Sequence, residues 1–159
     1  MFNDVMEIVN WFRVRNVADM KKNAMVEPLT QMKVMKLLYY AQGLTLAAFN
    51  EPLFEDEIVA WKYGPAVEEV HQVYSGKRDI VPSDLTQGLD KDVVADYVKV
   101  NNNDNANVVL NTVMEAYGDK SAIELMNMTH KETPWIETPQ SEVISKDLIK
   151  AYFKEHILA

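Results

Sequence analysis

The stretch from Gln31 to Phe49, QMKVMKLLYYAQGLTLAAF, limits what this chain can become more than any other part of it. Read at 3.6 residues per turn it is apolar almost all the way round, and such a helix is stable only when other elements surround it. Thr30 is a good N-cap, and Pro28 disfavours helix at Glu27, so the spacing predicts a helix over 31–49 at the centre of the core. Lys33, Lys36, Tyr40 and Ala47 fall on one side of the wheel, and that stripe is where the helix is expected to reach the surface. Gly43 lies on the same side, where the missing side chain permits close approach of another backbone.

A central helix needs neighbours, and the flanking sequence supplies amphipathic ones. Val5, Ile8, Val9 and Phe12 recur at helical spacing and predict a first helix over 4–14, followed by a connection through NVADMKKNAMVEP. Asp92 to Lys99 is read as helix. NNNDNAN is read as a turn and capping cluster, with helix resuming from about Ala106 to Tyr117 and stopping at Gly118. Ser121 and Glu124 form a capping box for a helix to about Met128. THKETPWIETP, with two prolines, is expected to be irregular. Ser145 caps a last helix that turns Leu148, Ile149, Tyr152 and Phe153 inward.

The strand signal is DEIVAWKY, which places Val59, Trp61 and Tyr63 on one face, with RDIV at 78–81 as its candidate partner. Gly64 and Pro65 then read as a helix entry, since proline suits the first helical position. Glu68 and Glu69 suit the positive end of that helix. Ala66, Val67, Val70, Val73 and Tyr74 are its expected buried face, and Glu68, Glu69 and His71 its exposed one. No repeat of solenoid period occurs. At 159 residues with 48% apolar side chains, the chain is expected to be mainly α: a compact single-domain helical bundle over 1–159 around a buried central helix, with a small β element.

Composition narrows the function classes. Without cysteine there is no disulfide framework, thiolate metal site or cysteine nucleophile, which fits a reducing, cytoplasmic setting. Asp4 and Glu7 stand where a signal peptide would be basic. The longest uncharged run, Leu37 to Asn50, is 14 residues and too short to cross a bilayer. The net charge of -8 opposes attraction to phosphate backbones, although residues 1–50 carry +2 and the remainder -10. An acidic surface of that kind suits a basic or amphipathic protein partner. Arg13, Arg15, Lys21 and Lys22 form the one basic cluster, and a repressor acting at its own promoter would have to use it.

Signs of catalysis are few. Glu68 and His71 have the E-x-x-H spacing of a di-iron half-site, but no second pair exists, so neither metal nor cofactor is expected. There is no G-x-S-x-G, P-loop or G-x-G-x-x-G. His130, beside Thr129 and Glu132, is the arrangement a hydrolase would have to use. The chain reads as a non-enzyme.

The ordered set LTQMKVMKLLYYAQGLTLA, EPLFEDEIVAWKYGPAVEEVH, LMNMTHKETPW and IKAYF resembles the Panacea, or SocA-like, antitoxin domain of phage-associated, GepA-like proteins. The motifs run from Leu29 to Phe153, about four fifths of the chain. The resemblance implies a compact, mainly helical domain of toxin–antitoxin operons and prophages that inactivates a cognate toxin by direct complex formation. An alternative it also implies is an adaptor that delivers a bound toxin to an ATP-dependent protease. Gly43, Trp61, Tyr63, Gly64, Pro65, Thr129, His130, Pro134 and Trp135 would be structural motif positions. The family run Gly-Pro-Val-Val-Pro-Glu-Val-Tyr is altered here at Ala66, Glu68 and His71. Partner contacts are therefore expected at Glu68, Glu69 and His71, and on the Lys33, Lys36 and Tyr40 stripe.

Overall fold

The computed structural model describes residues 1–82, 84, 86 and 88–158. Among them the helices are α1 (Val5–Lys22), α2 (Gln31–Phe49), α3 (Glu68–Val73), α4 (Lys91–Asn101), α5 (Asp104–Tyr117), α6 (Ala122–Thr129), α7 (Thr133–Ile136) and α8 (Lys146–His156). One antiparallel hairpin, β1 (Val59–Trp61) and β2 (Gly64–Ala66), completes the fold.

Helix α2 is the centre, with the bounds its sequence predicts. The Thr30 hydroxyl accepts the Lys33 N–H at 3.1 Å, and Asn50 ends the helix in a left-handed conformation. Every residue from Val34 to Leu46 is buried, covered by α5, α6, α8 and the hairpin. The buried polar groups of this stretch are partnered. The Gln42 amide donates to the Phe54 carbonyl and accepts the Leu53 N–H, and the Thr45 hydroxyl donates to the Ala41 carbonyl.

Complete enclosure overturns the expected surface stripe. Lys36 and Tyr40 are at most 1% exposed, and Lys33 and Ala47 are half-buried. Tyr40 lies under α5, its ring stacked on Tyr117 at 4.0 Å, and Lys36 lies under the hairpin. Gly43 does permit a close approach, but by the Phe153 ring of α8 rather than by a backbone: a Cβ there would sit 2.4 Å from that ring.

The hairpin corrects two further expectations. The partner of β1 is the segment just after it, with Val59 opposite Ala66 and Trp61 opposite Gly64. Residues 78–80 instead pair with the approach to α2, where Gln31 N–H donates to the Arg78 carbonyl and Ile80 N–H to that of Leu29. Gly64 and Pro65 are strand, not helix entry, and α3 begins at Glu68 behind Val67. Gly64 adopts φ 108, and a Cβ there would meet Lys36 Cε at 2.7 Å and Thr129 Oγ1 at 2.9 Å. Tyr63 falls in the turn and is exposed, so it does not share a strand face with Trp61. Val73, the last residue of α3, is exposed rather than buried.

Elsewhere the differences are of extent. Helix α1 continues through Lys22, held by the Arg15–Asp19 pair one turn apart and by burial of Val17. Helices α4 and α5 enter the Asn-rich run from both sides, and Asn103 caps α5. The Ser121–Glu124 capping box and the Ser145 cap form as expected. Thr133–Ile136 is helical rather than irregular, with Pro134 in its first turn where no N–H is needed.

Candidate protein-interaction groove

The first half of α2, the hairpin, α3 and the start of α6 enclose a groove of about 480 Å³. Met32, Met35 and Ala66 supply apolar lining, together with the half-buried Trp61; Tyr63 and Ile123 also line it and are 55% and 64% exposed. Lys36, His71, Lys77 and Arg78 are the basic groups that line it.

Gln31 fixes the α3 side. Its amide nitrogen donates to the Tyr74 and Lys77 carbonyls, each at 3.0 Å, which leaves its oxygen facing His71 Nδ1 at 2.7 Å. That assignment of the amide makes His71 Nδ1 the donor. The imidazole also meets Trp61 edge-on at 5.2 Å, so strand and helix are braced across the groove.

Lys36 passes beneath the hairpin, and its Nζ donates to the Pro65 carbonyl at 3.0 Å. Among the described residues no Asp or Glu forms an ion pair with it. Loss of hydration lowers its pKa from 10.5 to about 8.

A second buried charge lies along the same helix and is treated differently. Glu132, between α6 and α7, accepts the hydroxyls of Tyr39 and Tyr40 at 2.9 and 2.8 Å. Burial raises its pKa, and the two hydroxyl bonds oppose that shift without reversing it. Burial and then the nearby carboxylate raise both tyrosines, while Tyr117 is pushed up to about 12.

Two of the three groups a hydrolase would need are engaged elsewhere. The Thr129 hydroxyl donates to the Met126 carbonyl, and Glu132 is taken up by the tyrosines. His130 stacks on Trp135 at 4.0 Å, and its buried Nε2 has no hydrogen-bond partner. Trp135 Nε1 donates to the Trp61 carbonyl at 2.8 Å, and Pro134 is buried, so this motif ties α7 to β1.

Of the α3 residues singled out in the sequence, His71 lines the groove; Glu68 is exposed and Glu69 half-buried outside that lining. The basic cluster of α1 is partly committed within the fold. Arg13 donates to the Ile80 carbonyl and Arg15 pairs with Asp19 and Asn111, while Lys21 and Lys22 are exposed. Among the described residues no group of three or more His, Asp or Glu could hold a metal ion. Met32, Met35, Lys77, Arg78 and Ile123 were not legible as groove residues, because the groove forms between segments distant in sequence. One signal was present: Lys36, the second of two lysines in the first half of an otherwise largely apolar helix.

A family model described as antitoxin SocA-like, Panacea domain, matches residues 34–136, which takes in the hairpin, α3, α6 and most of α2. No curated protein and no solved structure matches the chain. Among the described residues no helix is long and apolar enough to cross a membrane.

Proposed function

The chain belongs to the SocA-like antitoxin family with a Panacea domain, and from that premise we propose that it neutralises a partner toxin by direct, stoichiometric complex formation. The observation that carries this reading is the groove, which opens between elements of the family domain and leaves Tyr63 and Ile123 exposed beside apolar lining. Aromatic anchors in partly desolvated pockets dominate protein interfaces. Tyr63, Ile123 and His71 are the central contacts in this proposal, with Glu68 and Glu69 at the periphery. The acidic surface speeds encounter with a basic toxin.

The test is co-expression with the product of an adjacent reading frame that arrests growth when expressed alone. Rescue should track the molar ratio of the two proteins, and a complex of fixed stoichiometry should co-purify. Rescue at far below one chain per toxin, with the toxin left chemically modified, contradicts binding as the mechanism.

A further inference from the structure

Building on that reading, we propose that the groove receives an acidic side chain, carried on an apolar segment of the partner protein, whose carboxylate pairs with Lys36. The ammonium can donate three hydrogen bonds and has one protein acceptor, the Pro65 carbonyl. A buried cation without a counter-ion is unfavourable, and a carboxylate entering the cavity that Lys36 lines relieves that state.

Three observations select this occupant. The first is charge: Lys36, Lys77 and Arg78 line the groove and no Asp or Glu does so, an inversion of local sign in a chain of net charge -8. Arg78 is already paired with Asp79 at 2.8 Å, so Lys36 and Lys77 are the cations left to receive the acid. The second is the remaining lining, Met32, Met35, Ala66, Trp61 and Ile123, which suits apolar neighbours on the ligand and not a nucleic acid. The third is depth. Lys36 lines the groove but is 1% exposed beneath the hairpin, so a carboxylate meets it only as a narrow side chain that parts the hairpin from α2, with the partner's backbone left at the mouth.

The test uses a random nine-residue peptide library, displayed against the full chain and against its Lys36→Met and Ile123→Glu variants, each first shown to melt cooperatively. Ile123 is exposed, so its variant keeps the fold while adding a like charge at the rim. The wild type should enrich sequences with one Asp or Glu between apolar residues. Blocked synthetic copies should bind both variants about tenfold or more weaker, and the same loss should follow Glu→Gln in the peptide. The proposal is overturned if no internal acidic position is enriched, if acid comes solely from a free C-terminus, or if Lys36→Met binds as well as the wild type. Failure of the underlying reading shows differently: the acidic peptides still bind the groove, and the co-purified toxin is what is missing.

Discussion

Lys36 and Glu132 are both buried ionisable groups held against α2, yet the fold deals with them in opposite ways. Glu132 meets two tyrosine hydroxyls inside the core, and its neighbours Tyr39 and Tyr40 are themselves enclosed by Phe153 and Tyr117. Lys36 meets one carbonyl and lines a groove. A buried charge whose bonds are completed internally holds the structure together. One that the fold leaves incomplete beside a cavity is available to another molecule.

The largest effect should come from breaking the completed side. Glu132→Ala removes the acceptor of two buried hydroxyls, each worth about 1–3 kcal/mol when orphaned, so urea unfolding should show a loss of about 3 kcal/mol. A loss below about 1 kcal/mol would mean the tyrosines find other partners. The same group gives a pH signature. Because burial raises its folded pKa, its protonated form favours the native state; the contribution is full below its ordinary 4.5 and is lost as pH rises through the folded value. Measured against Glu132→Gln, which does not titrate, wild-type stability should fall over that window.

Gly43→Ala comes next, since the added methyl meets the Phe153 ring at 2.4 Å. Overpacking, offset in part by better helix propensity, should cost about 1–2 kcal/mol. Adding Phe153→Leu should recover part of that loss, and simple additivity would show that the ring is not the obstacle.

Lys36→Met should behave as the reverse of Glu132→Ala, with stability at pH 7 unchanged or higher. The lowered folded pKa means that the native state sheds the Lys36 proton first. Wild-type stability should therefore rise relative to the variant between about pH 8 and the ordinary value of 10.5. A variant less stable than wild type at pH 7 would place Lys36 with the structural charges. The smallest effect belongs to Glu68→Ala with Glu69→Ala. Stability should move by about 0.5 kcal/mol or less per site, and toxin association should slow at low salt with dissociation unaltered.

Features set by neighbouring residues were legible in the sequence. The Thr30, Ser121 and Ser145 caps each depend on an N–H two or three positions into the helix, and they fixed the starts of α2, α6 and α8. The features that escaped depend on distant groups. Nothing local to Lys36 shows that Pro65 will cover it, and nothing local to Tyr40 announces Tyr117, Phe153 and Glu132. Gly64–Pro65 satisfies the rules for a helix start, but its φ of 108 and its place over Lys36 and Thr129 make it strand. The groove follows from these same long-range placements, so the family motifs pointed to its walls without revealing the space between them.

The central claim, that the toxin is held at the groove mouth, is tested most directly by a paired comparison of surface variants. Tyr63→Glu with Ile123→Glu alters two exposed residues of the groove, and Val98→Glu with Val108→Glu alters two exposed residues on α4 and α5. With melting temperatures matched to wild type, the affinity of each purified variant for the toxin is measured by titration calorimetry. The groove pair should lose about a hundredfold or more, as expected for central anchors, and the α4–α5 pair should bind as wild type does. Undiminished binding by the groove pair, or an equal loss in both pairs, would contradict the account.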